Sequence, residues 1–221
     1  MRMPAMHYGT APGIFYCRAG SRVIFLDVNR DRYFQLGADL EASFLSVIEG
    51  HSAPTLAVST LTERGILCSK DGNEVRQQVE LPVPSRAADA LKGETTLGET
   101  LRTLLTETRI RKRLDRQGLA SVISSLRSEK ARAVTASIDH RLPARTIRAF
   151  ELAKLARTPA NRCLSRSIAL VQRLAALGCA AHLVMGVRGI PFAAHSWAQI
   201  GDVVLNDSPE EVARFTPIFV L

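Results

Sequence analysis

The apolar positions of this chain alternate between the strand period and the helical period, and each change marks the start of a different element. Residues 13–18 and 22–28 are rich in β-branched and aromatic side chains and are separated by Ala19-Gly20-Ser21, a strand–turn–strand pattern. Asn29-Arg30-Asp31 turns the chain into a third strand, Arg32-Tyr33-Phe34-Gln35-Leu36, which Gly37 ends. Asp39 is then placed to cap a helix whose apolar positions Leu40, Phe44, Leu45 and Ile48 recur at helical spacing, with Gly50 closing it. After Pro54 a short helical run carries Leu56, Val58 and Leu61 and breaks at Gly65. Residues 66–68 are expected to return as a strand. Strands, helices and a closing strand in this order predict a small winged-helix-like module over residues 1–80.

The polar stretch that follows contains Pro82 and Pro84, and residues 81–94 read as a linker. From residue 95 to 157 the period is helical. Leu97, Leu101, Leu104, Leu105 and Ile110 form one apolar stripe, Leu119, Val122, Ile123 and Leu126 a second, and both are expected to face a core. A helix over about 162–177 ends at Gly178. Strands follow at 181–187, 194–200 and 203–206, with turns at Arg188-Gly189-Ile190-Pro191 and Gly201-Asp202. The fold class is therefore α+β, with the module at 1–80 followed by a second domain over 95–221.

Composition adds little to the fold and something to the partners. With 46% hydrophobic and 23% charged residues the chain has the balance of a folded domain, and no apolar run approaches the roughly 20 residues of a membrane span. The N-terminus lacks the apolar stretch of a signal peptide, which predicts a cytoplasmic protein. The net charge of +8 is uneven: residues 1–84 hold 8 basic and 9 acidic side chains, residues 85–221 hold 21 and 12. Part of the excess is the run from Arg109 to Arg116, which reads as a solvated helix face before it reads as a nucleic-acid contact. Four cysteines (Cys17, Cys68, Cys163, Cys179) without a CxxC pair are expected to be thiols, and neither a metal site nor a cofactor is assigned.

The chemistry concentrates in the last sixty residues. Cys163 opens a helix, where the N-terminal partial charge and unpaired N–H groups favour a thiolate over a thiol of ordinary pKa near 8.5. His195 lies in the second of the three strands, and Asp207 just beyond the third. If residues 200–202 make a three-residue turn, Gln199 faces Val203 and His195 falls directly opposite Asp207, with Cβ atoms roughly 4.5–5.5 Å apart. A two-residue turn shifts the pairing by one and separates them unless a bulge restores it. Cysteine, histidine and aspartate so arranged suffice for acyl transfer without further groups. His182, in a neighbouring strand, is the competing base but has no aspartate at comparable spacing.

Residues 163–167, Leu177-Gly178, 185–188, 191–197 and 205–207 resemble the B proteins of lasso-peptide biosynthesis, leader peptidases with a transglutaminase-like, papain-related catalytic domain. On that resemblance Cys163 is the nucleophile, His195 the base and Asp207 the orienting carboxylate. Residues 13–70 resemble, less strongly, the winged-helix precursor-recognition module fused to many such proteins. It implies a leader bound as an added strand along residues 32–36, with the helix near 56–63 as the other wall and Arg32, Tyr33, Phe34, Leu36, Leu56 and Leu61 as contacts. The implied job is cleavage of a ribosomally made precursor between leader and core. Its partners are the precursor peptide and an ATP-using, asparagine-synthetase-like cyclase. The alternatives are amide transfer by the same thioester, as in true transglutaminases, and a winged-helix nucleic-acid binder, whose binding would fall steeply with salt.

Overall fold

In the computed structural model of the 221-residue chain, residues 7–70, 81–88, 94–133, 141–155 and 162–221 are described. The elements mix helices and sheets in the α+β manner expected. The first half opens with β1 (His7–Thr10), β2 (Ile14–Ala19), β3 (Arg22–Asp27) and β4 (Arg32–Phe34). Then come α1 (Ala38–Ile48), α2 (Thr55–Glu63) and β5 (Leu67–Lys70). Strands β2, β3 and β4 form an antiparallel meander in that order, and β1 pairs with β5 in a separate two-stranded ladder. The β1 strand, HYGT, has no strand signal of its own; its pairing with β5 makes it one. The predicted Asp39 cap is replaced by Gly37, which makes no side-chain cap bond. Asp39 lies instead in the first turn, where its charge suits the helix dipole.

The β3–β4 turn is built by one buried carboxylate. Asp27 Oδ1 accepts from the backbone N–H groups of Asn29 and Arg30, each at 3.1 Å, and its Oδ2 receives the Arg30 guanidinium at 3.0 Å. A carboxylate that organises two backbone donors favours a tight reversal, and Asp31 completes it with φ 49°. This turn fixes where β4 lies.

The second half begins with β6 (Arg86–Ala87), α3 (Leu97–Ala133), α4 (Arg141–Leu155) and α5 (Cys163–Ala176). It ends with β7 (His182–Arg188), β8 (Ala193–Ile200), β9 (Val203–Val204), α6 (Pro209–Val212) and β10 (Thr216–Val220). Its sheet has the order β10-β7-β8-β9-β6, and α5 packs on it through Ile168, Leu170, Val171 and Leu174. The segment expected to be a linker is in part structural. Arg86–Ala87 pairs in parallel with β9, and Asp202 clamps it by accepting from Ser85 Oγ at 2.5 Å and Arg86 Nη2 at 2.6 Å. Residues 71–80 and 89–93 lie outside the described part.

Helix α3 is interrupted at Gly118, and its two arms differ. The stripe Leu119, Val122, Ile123 and Leu126 is buried as expected. The first stripe is buried only at Ile110: Leu97 is 91% exposed, and Leu101 and Leu105 also face outward. The face turned to α5 is polar instead, with buried Thr103 and Glu107 ahead of Ile110. Arg166 on α5 pairs with Glu107 at 3.4 Å, and Arg173 with Glu99 at 2.7 Å. Ion pairs on α5 thus select which side of the first arm is buried.

The two halves share a core. Phe25, Val23 and Ile14 face Phe44, Leu61, Ile66 and Leu67 of the first half. The opposite face of the same meander (Cys17, Ala19, Ile24, Leu26, Val28) packs into the cluster that holds Ile168, Leu183, Ile218 and Phe219. A sheet buried on both faces reads as a continuous apolar run, which accounts for Val23-Ile24-Phe25-Leu26. Phe15 meets Phe219 edge to face at 4.8 Å. Gly189, in the β7–β8 turn, comes so close to the first half that a Cβ there would lie 2.9 Å from the Ala19 carbonyl oxygen.

Candidate active site

Cys163 is the first residue of α5, half-buried, and follows Arg162, which provides no side-chain cap. Its N–H belongs to the first turn, where the helix itself offers no acceptor. His195 sits on β8 with its ring against Phe215 at 5.1 Å and Trp197 at 6.2 Å between centroids. His195 Nε2 lies 2.8 Å from Asp207 Oδ2. With Nε2 so engaged, Nδ1 is left for the hydrogen bond that joins the ring to the Cys163 thiol.

The hairpin that joins His195 to Asp207 differs from the expected one. The turn has two residues, Gly201 and Asp202, with Ile200 opposite Val203 and Gln199 opposite Val204. Gly201 holds φ 54°, the left-handed conformation such a turn needs. Continued regularly, this register would set Asp207 beside Ser196, on the wrong face for His195. The ladder stops first. Leu205 N–H donates to the Ala198 carbonyl at 2.8 Å, but the Ala198 N–H goes to the Asn206 side-chain oxygen at 2.8 Å. A hydrogen-bonded pair would have exchanged both bonds between backbones. With the Asn206 amide in that place the chain bends, and Asp207 turns back to His195. Asn206 Nδ2 also donates to Ser167 Oγ at 2.9 Å, and Ser167 Oγ donates to the Ser196 carbonyl at 2.9 Å. Asn206 and Ser167 tie α5, β8 and the bend together, although residue type and spacing alone assign neither a role.

The electrostatics follow from this closed chain of contacts. Burial disfavours a charged His195, but hydrogen bonds to Asp207 and Cys163 and the charges of both outweigh it, raising its pKa to about 9. Burial likewise works against a Cys163 thiolate. Hydrogen bonds from His195 and Ser196 and the imidazolium charge overcome it, and the thiol pKa is lowered. Asp207 is lowered as well, against its burial, by His195 and by the Ser208 N–H that donates to Oδ1 at 2.9 Å. Each shift favours a charged form, so the arrangement supports a thiolate–imidazolium pair held by a carboxylate. His182 lies at the far end of β7, opposite Gln199, whereas His195 is opposite Gly186. Burial and nearby Lys130 lower its pKa.

The six residues expected along a leader groove are dispersed. β4 is an outer strand of its sheet. Arg32 is exposed on it, its guanidinium over the Phe34 ring at 5.4 Å. Phe34 stacks inward on Phe25 at 5.0 Å. Leu56 is 80% exposed. Leu36 and Leu61 correct the expectation: both are core residues of the first half and offer no surface to a peptide. Tyr33 points the other way from Phe34, toward the second half. Its ring meets Phe192 at 5.7 Å, and burial, then the nearby Cys163, raise its pKa. A residue expected in the groove therefore turns toward the half that holds the thiol and feels its charge.

The model of the transglutaminase-like superfamily matches residues 104–220, more than half of the chain and a span that contains Cys163, His195 and Asp207. The chain belongs to this superfamily. Over 47 residues it is also 49% identical to the microcin J25-processing protein McjB of Escherichia coli. That match covers 21% of this chain and 23% of McjB, so the chain spans about a quarter of that relative's length. It supports the resemblance to lasso-peptide B proteins. No solved structure matches this transglutaminase-like chain. No helix among its described residues is long and apolar enough to cross a membrane.

Proposed function

We propose that the chain is a cysteine peptidase that removes the leader from a ribosomally made lasso-peptide precursor. The observation that carries this reading is the identity with a protein named for processing microcin J25, found in a chain whose thiol, imidazole and carboxylate are joined. In the proposed reaction the Cys163 thiolate attacks the scissile carbonyl carbon and a C–S bond forms. The Cys163 N–H is a donor available to the developing oxyanion. The His195 imidazolium gives its proton to the departing amine of the core as the C–N bond breaks. Asp207 keeps the ring oriented and stabilises its charge. His195 then takes a proton from water, whose oxygen displaces the thiolate and releases the leader as a carboxylate. The freed core amine would go to an ATP-dependent, asparagine-synthetase-like cyclase.

Residues 1–80 would supply the leader site. The outer position of β4 supports capture of an extended peptide by strand addition, with Arg32 exposed on it. Tyr33 would meet the substrate near the scissile bond rather than in the groove.

The test is incubation of the protein, with and without Cys163→Ala, with the precursor encoded beside its gene, followed by mass spectrometry. Leader and core should separate only with the intact thiol. Cleavage that persists in Cys163→Ala removes the proposed nucleophile, and a product joined to an added amine would favour transfer over hydrolysis.

A further inference from the structure

Arg188 ends β7 beside the candidate site, and the acid–base chain makes no use of it. In the ladder Arg188 is opposite Ala193, and Gly186 is opposite His195. Residues two apart on a strand share a face, so Arg188, Gly186 and His195 lie on the same side of the sheet. Phe215 joins them. Its ring centroid is 5.1 Å from that of His195 and 5.7 Å from the guanidinium carbon of Arg188. Gly186 makes room for this ring: a Cβ there would come 2.9 Å from the Trp197 ring and 3.0 Å from Phe215 Cβ. Arg188, His195 and Phe215 are each only partly buried, so the row is open to solvent. The charge of Arg188 is also unused. Its Nε donates to the Pro191 carbonyl at 3.4 Å, and among the described residues its two Nη groups have no partner. Asp207 and Glu211 are engaged elsewhere, with His195 at 2.8 Å and with Arg214 at 2.9 Å. A guanidinium stacked on a ring keeps its planar N–H edge free, the geometry that receives a carboxylate in two parallel bonds.

We propose that Arg188 forms an anion subsite of the active site, which takes a carboxylate side chain of the peptide substrate close to the scissile bond. The proposal rests on Cys163 and His195 being the reacting pair, and it holds equally for hydrolysis and for amide transfer. The two contacts of Phe215 put the guanidinium no more than about 11 Å from the imidazole. An extended peptide advances about 3.3 Å per residue, so the carboxylate belongs to a residue within about three of the bond.

A first measurement needs no precursor. The full chain is alkylated with iodoacetate, an anion, and with iodoacetamide, its neutral counterpart, and both rates are read by mass spectrometry on the peptide bearing Cys163. A cation near the thiol favours the anionic reagent, and low ionic strength leaves the effect unscreened. The ratio of the two rates cancels any change in the thiol itself. Arg188→Gln should lower the iodoacetate-to-iodoacetamide ratio by roughly fivefold, and Arg188→Lys should keep most of it. Arg188→Met, which retains the stem over Phe215, takes the place of the glutamine variant if that one does not fold. A ratio unmoved by loss of the charge overturns the subsite, as does an equal fall in the lysine variant, which would mark a packing effect. The second measurement uses the precursor encoded beside the gene, with each Asp or Glu within about three residues of the cut changed to its amide. One such change should raise KM about tenfold in wild type and much less in Arg188→Gln. Its place before or after the cut assigns the carboxylate to leader or core. Equal cleavage of every amide form overturns the proposal, as does a precursor with no acidic residue there. A wild-type chain that leaves the precursor whole while the iodoacetate preference stands counts against the peptidase reaction and not against the subsite.

Discussion

The side-chain amide of Asn206 occupies the place of a backbone carbonyl opposite Ala198, with the Ala198 N–H donating to it at 2.8 Å. The bend that follows brings Asp207 to His195 despite a hairpin register that would separate them. Asn206→Ala should leave the buried Ala198 N–H and Ser167 hydroxyl without this partner. Unsatisfied buried groups cost about 1–3 kcal/mol, so the melting temperature should fall. Activity should fall further than the folded fraction explains, because Asp207 loses its placement. Thermal unfolding together with the precursor cleavage rate checks both; full activity in a well-folded Asn206→Ala would show that the bend stands without the amide.

The pH profile of kcat/KM should be bell-shaped, with the acid limb set by Cys163 and the alkaline limb by His195 near its raised value of about 9. Asp207→Asn should keep much of the shape but remove the charge, and the alkaline limb should move down. The same shift governs stability. Folding favours the protonated ring, so that contribution is complete below the unfolded value of about 6.5 and is lost as pH rises toward about 9. Denaturant titrations at pH 6 and pH 9.5 should show this loss in wild type and less of it in Asp207→Asn.

Tyr33 belongs by sequence to the first half, and its ring turns toward the second half, where the Cys163 charge acts on it. Tyr33→Phe should cleave nearly as wild type, since the ring contact with Phe192 survives. Tyr33→Ala should reduce kcat/KM by roughly tenfold, from loss of an aromatic pair worth about 1 kcal/mol and of the wall it forms. If leader affinity, measured separately by fluorescence anisotropy on a labelled leader peptide, falls as much as kcat/KM, then Tyr33 acts in the groove and not beside the scissile bond.

Because the meander is buried on both faces, the halves should unfold together. Phe15→Ala removes the edge-to-face contact with Phe219 and should cost roughly 2 kcal/mol, lowering a single transition. Differential scanning calorimetry that resolves two transitions would instead describe two separable units. Removal of residues 1–80 should weaken precursor capture and also destabilise what remains, by baring the face that holds Phe219.

Much of the candidate site was legible because its signals are local. A cysteine at a helix start, a histidine in a strand and an aspartate 12 residues later require only short-range order. The α+β class and the second apolar stripe of α3 follow from periodicity alone. Three other features rest on contacts between distant segments, which no period encodes. The outward turn of Leu97 and Leu101 depends on Arg166 and Arg173 selecting the polar face of α3. The burial of Leu36 and Leu61 depends on how α1 and α2 fold over the meander. The position of Tyr33 depends on the second face of that meander joining the core of the other half.

By itself, then, the sequence determined which side chains are candidates for the chemistry and which elements hold them, since residue type and period act within a few residues. Only the tertiary structure decided that Asp207 meets His195 and that Tyr33 turns toward the half that holds Cys163. Both depend on hydrogen bonds and packing between segments far apart in the chain: Asn206 with Ala198 and Ser167, and the β2–β3 face with β10.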